Sequence, residues 1–329
     1  MRQTELPQLR ADQIEWDLLA GNSQEYSRGD LQADRAFNVP VDAQDAYDPA
    51  PGVGDARAID DCFDHIEYRA GVFNDGYAFS VEDDVITKIP GEETDAQLVY
   101  RFLLACSRTE LSKTLSLQFS ELCKLSLQRL LGAKARVWNV DVGSADRVAL
   151  GGSTRNVAES VAKYLGAHVH AENLDDLPVT GGDGGADLIA TFGFEDSATG
   201  SICLLGQCAA SSTTDYWRDK IHQPSRFASL FHFSAGEPVL VTFIPVVYRK
   251  ANGKWLDHNN VVKLLFDRIR ILKALDLHND PLSPEVRKRI EGALTDALAG
   301  LNKKDATAKK VVKRARAAKN QTARRGRVA

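Results

Sequence analysis

The residue types best suited to chemistry lie in one stretch, between Gly181 and Ser212. Asp187 closes a glycine-rich turn, GGDGGAD, and opens an apolar segment that predicts a β-strand. A polar loop leads to a second such segment, which ends in Gln207 and Cys208. Two strands joined in this way would place the Asp187 carboxylate and the Gln207 carboxamide side by side at one edge of a sheet. Oxygen atoms of these types bind hard divalent cations, and such a cation activates water and polarises a phosphodiester.

The elements that must position this pair alternate between strand and helix patterns after residue 132. β-Branched and aromatic runs predict strands, and apolar residues at a spacing of three or four predict helices. Gly166 ends the helix that precedes the pair. In chain order, the strands and helices around the central stretch are predicted at 135–143, 154–165, 237–250, 259–275 and 283–301.

The first part of the chain predicts less regular structure. Residues 1–60 show little periodicity and are typical of a loop or linker. Alternating segments within 61–88 predict a hairpin that turns at residues 74–76, Asn-Asp-Gly. Apolar residues at helical spacing predict helices across 95–131, which Gly132 ends.

The succession of helix, strand, hairpin, strand, helix and strand over about residues 135–275 resembles the PD-(D/E)XK, or restriction-endonuclease-like, nuclease superfamily. In that superfamily the first metal-binding acid stands where Asp187 is, and the second ligand stands where Gln207 is. Ala209 occupies the position of the usual lysine. Asp183 is a rival for the first position, and we expect it to shape the turn instead. The resemblance implies an α/β (α+β) fold with a mixed sheet flanked by helices, and a site for Mg²⁺ or Mn²⁺.

The resemblance also assigns roles to residues outside the pair. Glu159 matches an additional acid that many members contribute from the preceding helix, although it lies four residues before Lys163 and could form a surface ion pair instead. The backbone carbonyl of Cys208 is expected to be a further metal ligand. Lys220 is expected to replace the lysine missing at Ala209, and its alternative is an exposed helix face. If Lys220 does not replace the missing lysine, the site is weak or inactive.

Other chemistry in the chain is predicted with less support. Cys208 could act as a nucleophile with His222 or His232 as its base, but no local signature of a thiol hydrolase surrounds it, and a buried packing role is favoured. His168 and His170 alternate along an extended segment and could bind a metal ion. A polar strand face explains them more simply.

The net charge of −4 conceals a strong asymmetry along the chain. Residues 1–100 hold 22 acidic and seven basic residues, whereas residues 303–329 hold 11 basic residues and one acid. A basic tail of this kind binds phosphates without reading sequence, or docks on an acidic surface. The expected nucleic-acid contacts are Trp217, Arg218, Lys309, Lys310, Lys313, Arg314 and Arg316.

Cysteine spacing, the charged N-terminus and the lengths of apolar runs indicate the cellular compartment. The five cysteines form no CxxC pair and no zinc-like spacing with histidine, the N-terminus is charged, and the longest apolar run, Val239–Val247, is too short to cross a bilayer. We therefore expect a reduced cytoplasmic protein without a membrane segment. The predicted divisions are an acidic, helical regulatory region, a nuclease-like core, a C-terminal helix and a disordered basic tail, at 1–132, 133–275, 276–302 and 303–329.

Three functional hypotheses follow. The first is a metal-dependent DNA endonuclease, with RNA not excluded as its target, that acts as the effector of a bacterial antiphage defence or restriction system. It would work with a partner protein or as a homo-oligomer. The second is a catalytically inactive module of the same fold that binds nucleic acid or a protein. The third is a thiol hydrolase that uses Cys208.

Overall fold

The computed structural model describes residues 7–33, 53–107, 112–175, 184–192, 202–211, 220–233, 236–257, 261 and 263–299. The predictions for Asp183, Trp217, Arg218 and the tail 303–329 therefore lie outside the described residues. Within these ranges no helix is long and apolar enough to cross a membrane.

The N-terminal elements are mostly helical. In chain order they are α1 (Pro7–Ala20), β1 (Glu25–Ser27), α2 (Arg28–Ala33), α3 (Val53–Phe73), β2 (Phe79–Glu82), β3 (Val85–Lys88), α4 (Asp95–Cys106) and α5 (Lys113–Leu131). The three short strands form an antiparallel sheet in the order β1-β3-β2.

The remaining elements alternate between strand and helix. They are β4 (Ala135–Asn139), α6 (Ala145–Ala149), α7 (Thr154–Leu165), β5 (Ala167–Val169), α8 (Ala171–Asp175), β6 (Leu188–Phe192), β7 (Ile202–Cys208), α9 (Pro224–Ala228), β8 (Phe231–Phe233), β9 (Val239–Phe243), β10 (Leu264–Phe266), α10 (Arg268–Leu275) and α11 (284–299). β5 and β8 form a separate two-stranded ribbon.

A five-stranded mixed sheet organises this part of the chain, in the order β10-β9-β7-β6-β4. β4, β6 and β7 are antiparallel neighbours, and β9 and β10 continue from β7 in parallel. The fold is therefore mixed α/β, as the sequence predicts. The antiparallel step from β6 to β7 brings the beginning of one strand beside the end of the next, which is the arrangement expected for Asp187 and Gln207.

Side chains of the sheet alternate between two apolar layers. Leu188 and Ala190 of β6 pack on the side of α5 and α10. Ile189, between them, packs with Val157 and Val161 of α7. Helices therefore cover both faces of the sheet, and polar side chains can be accommodated where the strands end.

Local signals explain where the helices next to the sheet begin and end. Ser112, Ser153 and Asp267 cap α5, α7 and α10, and each side chain accepts a hydrogen bond from the backbone of the first turn. Gly166 ends α7 in the left-handed conformation, with φ of 60°. The predicted end of α7 at Gly166 is confirmed.

Several predictions for the first part of the chain are wrong. The sequence predicts a loop or linker over residues 1–60, but Pro7–Ala20 form α1 and Val53–Phe73 form α3. Residues 65–73 belong to α3, because the buried residues Ile59, Phe63 and Ile66 follow a helical spacing that the short alternating stretch obscured. The hairpin lies later, between β2 and β3, where Asp83 and Asp84 adopt φ of 49° and 62°. These positive angles match the tight turn that joins twisted antiparallel strands.

The prediction of one helix over 259–275 is also wrong in part, because 264–266 form β10 and pair with β9. Asp267 then accepts a hydrogen bond from the Arg270 amide, so its cap fixes the start of α10. A short apolar run buried between strand and helix fits either structure by periodicity alone.

A buried charge network joins α1, α3 and α10. Arg268 donates from NH1 and NH2 to the two carboxylate oxygens of Asp12 at 3.0 and 3.1 Å. Arg69 contacts Asp12 at 2.7 Å and Glu15 at 2.8 Å. These contacts, and one continuous apolar cluster, cross the predicted boundary at residue 132. The N-terminal helices are thus packed directly on the part of the chain that carries the sheet.

Candidate functional site

The Asp187 carboxylate and the Gln207 carboxamide meet at one end of the sheet. Asp187 directly precedes β6, and Gln207 is the penultimate residue of β7. Nε2 of Gln207 donates to Oδ2 of Asp187 at 2.5 Å, and the backbone N–H of Cys208 donates to the same oxygen at 2.7 Å. Both side chains are buried, with 4% and 1% of each residue exposed. The structure therefore brings together Asp187 and Gln207, the two residues that the sequence analysis identifies as the main candidates for the site.

The other end of the Gln207 amide is unsatisfied. Oε1 of Gln207 is buried and makes no hydrogen bond with any described residue. Exchanging the amide oxygen and nitrogen would set an oxygen against the Asp187 carboxylate, so the observed orientation is the favourable one. A buried carbonyl oxygen without a partner costs about 1–3 kcal/mol unless something outside the chain binds it.

The donor chemistry fits a hard divalent cation. A carboxylate and an unpartnered amide oxygen, side by side, are ligand types that Mg²⁺ and Mn²⁺ accept. Among the described residues, no group of three or more His, Cys, Asp or Glu side chains is already arranged to hold a metal ion. The pair therefore supplies part of a coordination shell, which water and substrate oxygens would have to complete.

The glycine turn before Asp187 is shaped by close packing. Gly184 and Gly185 have φ of 71° and 100°, a region that disfavours other residues. A Cβ at Gly185 would lie 2.3 Å from the backbone oxygen of Gln223, and one at Gly184 would lie 2.8 Å from Thr154. The turn is thus packed between the first turn of α7 and the segment before α9. This packing fixes the position of Asp187, which follows the turn.

The segment that carries Lys220 packs against the same turn. Gln223, against which Gly185 packs, donates its backbone N–H to the Lys220 carbonyl at 3.1 Å. Ile221 packs in a small apolar cluster with Ala209, the residue at the position of the missing lysine. The backbone of this segment therefore lies beside residues that flank the pair, Gly185 before β6 and Ala209 after β7, and the role of the Lys220 ammonium stays a prediction.

Glu159 is not brought to the pair. It lies on α7 with 54% of its side chain exposed, and its ion-pair partner is Arg155 at 4.0 Å. It makes no contact with Asp187 or Gln207. α7 buries its apolar face against the sheet, so the opposite face, which carries Glu159, is left in solvent.

The acid that approaches the site instead is Asp141, which the sequence analysis missed. The N–H of its neighbour Val140 donates to the Asp187 carbonyl at 2.7 Å. Asp141 accepts a hydrogen bond from Ser120 of α5 at 3.2 Å, and its own N–H donates to Oδ1 of Asn139. The sequence held a signal for Asp141, because polar residues at the end of β4 lie beside the beginning of its antiparallel neighbour β6.

α5 contributes a second missed residue, Glu121. The fully buried Asn139 donates to Glu121 at 2.7 Å and to Ser120 at 3.1 Å. α5 directly precedes β4 in the chain and packs on the strands that carry the pair. Glu121 therefore approaches this end of the sheet through Asn139, on the helix before the sheet rather than on α7.

Cys208 lies against α5, and its thiol forms a hydrogen bond with Cys123. Burial, the contact with Cys123 and the Asp187 and Asp141 carboxylates raise the pKa of the Cys208 thiol well above its usual range. A thiol held in its protonated form is a poor nucleophile. The contact observed at Cys208 uses its backbone N–H on Asp187, and the proposed role of its carbonyl as a ligand stays a prediction.

Of the histidines that could form a metal pair or a base, His168 and His232 lie on the β5–β8 ribbon and His170 directly follows β5. His222 is an exposed turn residue before α9. His168 and His232 are opposite each other and exposed. Nδ1 of His170 lies 3.5 Å from Glu172, and its ring is 6.3 Å from that of His232. These residues fit the polar strand face that the sequence favoured.

Comparison of the chain with models of protein families, with curated proteins and with solved structures finds no match. A functional assignment therefore depends on the geometry of the site itself.

Proposed function

We propose that the protein is a metal-dependent endonuclease that hydrolyses phosphodiester bonds in DNA. The observation that carries this proposal is the buried Asp187–Gln207 pair, whose amide oxygen has no partner in the described chain. An unsatisfied oxygen beside a buried carboxylate is what a cation site at the end of two strands requires.

Asp187 and Gln207 would hold the ion. A Mg²⁺ or Mn²⁺ ion supplies Lewis-acid polarisation of the phosphate and a more acidic bound water. The protein holds Asp187 in place through the Cys208 N–H and the Gln207 amide, so the carboxylate needs little reorganisation. Lys220 would orient the attacking water from the neighbouring segment.

Asp141 takes the place that Glu159 was expected to fill. Both Asp187 and Asp141 act on the Cys208 thiol and help to raise its pKa, after the larger effect of burial. Two carboxylates around one thiol create a negative potential at this end of the sheet. That potential favours a divalent cation and would repel a phosphate in the absence of one.

The wider role extends the same proposal. A cytoplasmic effector of a bacterial defence or restriction system needs a cleavage site and a means of restraint by a partner or a second copy. α1, α3 and α4 pack on the sheet-bearing part of the chain and present the acidic half of the sequence. The basic residues of 303–329 would add affinity for DNA that does not depend on its sequence.

A catalytically inactive nucleic-acid or protein-binding module is the second candidate, favoured by the environment of Ala209. Ala209 is fully buried in an apolar cluster, where the superfamily carries a lysine. The hydrogen bonds from Gln207 and Cys208 to Asp187 would equally serve to close the end of a sheet. In this alternative the site binds nothing, or binds a partner without hydrolysis.

Plasmid cleavage with Mg²⁺ or Mn²⁺ separates the two candidates. The wild-type protein and Asp175→Ala, which removes an exposed acid of α8, are expected to nick DNA at equal rates. Asp187→Ala is expected to lower the rate by at least a hundredfold, because single electrostatic groups at such sites contribute about that much. Equal cleavage by Asp187→Ala would refute the site, and chelator-resistant cleavage would refute the use of a metal.

A further inference from the structure

A paired aromatic surface lies on the edge strand β4, beside the candidate site. The rings of Trp138 and Tyr164 are 5.2 Å apart and inclined at 41°. Both residues are half-buried, so one part of each ring packs on the sheet and another part faces solvent. Trp138 pairs with Ile189 of β6.

Two cations lie over this surface. The Arg136 guanidinium is 5.2 Å from the centre of the Tyr164 ring, and the Lys163 ammonium is 4.9 Å from it. Both cationic residues are exposed. Within the part of the chain that the structure describes, Lys163 forms no ion pair, and its one contact is with the ring.

A second aromatic–cation cluster, around Trp255, differs from the one at Tyr164 because the chain itself binds its cations. Arg249 and Arg270 lie 3.5 and 4.8 Å from the Trp255 ring, but their guanidinium groups are engaged by the chain itself. Arg249 donates to Asp267 at 2.8 Å, and Arg270 donates to the Leu265 carbonyl at 2.8 Å. That cluster is closed, whereas the one at Tyr164 leaves an ammonium available to an anion.

The open surface leads away from the candidate site along β6. Ile189, opposite Trp138, is two residues from Asp187, and Thr191, opposite Arg136, is four residues from it. At a rise of about 3.3 Å per residue, the surface covers roughly 7–13 Å beyond Asp187. A strand that leaves the site toward the β4 edge would pass over it.

We propose that Trp138, Tyr164, Arg136 and Lys163 form a track for a single-stranded segment of nucleic acid. Bases stack on the two rings, and the Lys163 ammonium, which now lies over Tyr164, moves to a phosphate as a base replaces it. This inference rests on the proposed function, because it assigns to the same substrate the path by which its strand leaves the site. A ring beside a cation matches a base beside a phosphate, and a peptide strand would use the backbone edge of β4 instead.

The test measures fluorescence anisotropy of a labelled oligothymidine, titrated with full-length protein in chelator so that cleavage cannot occur. Tyr164→Leu is expected to weaken binding about tenfold, because stacking of one base contributes on that scale. Tyr164→Phe keeps the ring and is expected to bind like the wild type. Lys163→Gln is expected to weaken binding and its salt dependence, whereas Lys288→Gln, an exposed lysine of α11, is expected to change neither.

Equal affinity of Tyr164→Leu and the wild type would overturn the track and leave the edge of β4 as a surface for a protein strand. Equal loss in Tyr164→Leu and Tyr164→Phe would also overturn it, since the ring would then not be the contact. The result is independent of catalysis: a protein that binds through Tyr164 but never cleaves refutes the proposed hydrolysis and keeps the track. Cleavage by the wild type, together with unchanged binding by Tyr164→Leu, refutes the track and keeps the proposed hydrolysis.

Discussion

The two buried polar regions of the molecule differ in how completely they are satisfied. In the network of α1, α3 and α10, two acids face two arginines, and the hydroxyls of Tyr77 and Tyr100 each donate to Glu15 at 2.7 Å. At the end of the sheet, Asp187 accepts hydrogen bonds from an amide and a backbone N–H, and the buried Oε1 of Gln207 has no partner in the ranges that the structure describes. A closed network stabilises the fold, whereas an open one is suited to a ligand.

The pKa values in the closed network follow from its charge balance. Burial alone would raise the pKa of the Asp12 carboxyl, but attraction to Arg268 and Arg69 outweighs it, so the pKa is lowered. Burial would lower the pKa of Arg69, but Glu15 and Asp12 hold it well above its usual value. Asp12, Arg69 and Arg268 therefore stay charged at neutral pH.

The largest expected effect comes from opening the closed network. Arg268→Met leaves Asp12 and Glu15 with one arginine between them, and we expect it to lower the free energy of unfolding by about 3–5 kcal/mol. Urea denaturation followed by circular dichroism measures this change. Arg289→Met, at an exposed arginine of α11, is the control and should change the free energy by less than about 0.5 kcal/mol. A loss for Arg268→Met no larger than the control would show that the network is not stabilising.

A smaller loss is expected at the turn that fixes Asp187. Gly185→Ala places a Cβ against the Gln223 carbonyl at a φ of 100°, and we expect it to lower the free energy of unfolding by about 1–3 kcal/mol. Metal affinity should fall with it, because the turn sets the position of the carboxylate. Gly91→Ala, at a φ of 104° but with open space around it, separates backbone strain from the clash. Equal losses in both variants would remove any special role for the packing.

The pH dependence of stability reports on His65, which lies at the edge of the closed network. Nδ1 of His65 accepts a hydrogen bond from Arg69, and burial followed by the charge of Arg69 lowers its pKa from 6.5 to about 3. The folded protein therefore keeps His65 neutral while the unfolded chain takes up a proton below pH 6.5. Its contribution is complete above pH 6.5 and falls by up to about 1.4 kcal/mol per pH unit between 6.5 and 3.

His65→Gln keeps an acceptor and a donor but cannot titrate, so the variant is expected to lose less stability than the wild type on acidification from pH 7 to 4. Thermal unfolding across this range gives the comparison. Parallel curves for the two proteins would contradict a neutral, buried His65.

The smallest effect on stability is expected at the open site. Gln207→Leu removes the amide oxygen that has no partner among the described residues, together with one donor to Asp187, and these changes offset each other. We therefore expect the free energy of unfolding to change by less than about 1 kcal/mol. A loss comparable with that of Arg268→Met would place Gln207 in a structural network instead of a ligand site.

Much of the sheet and its central pair could be predicted from the sequence, because the relevant signals are local. β6 and β7 are apolar runs bounded by turn residues, and their antiparallel pairing follows from the short connection between them. The meeting of Asp187 and Gln207 then follows from register alone. The position of α7 could also be predicted from the sequence, because a serine precedes the helix and a glycine ends it.

The remaining features depend on tertiary packing. Glu159 is kept from Asp187 because the other face of α7 packs on the sheet, and Asp141 comes near Asp187 because β4 pairs with β6. Local periodicity contains neither piece of information. The switch from β10 to α10 at Asp267 depends on pairing with β9. The buried ion pair of Asp12 with Arg268 joins residues that are 256 positions apart, and each residue alone resembles a surface charge.

The central claim is that the Asp187–Gln207 pair binds a divalent cation. Isothermal titration of Mn²⁺ into the wild-type protein, Gln207→Leu and Asp187→Asn measures it directly, with Asp175→Ala as the matched control. We predict a saturable heat for the wild type and the control, and affinities at least tenfold weaker for the two site variants. No binding by the wild type, or equal binding by all four proteins, would contradict the claim.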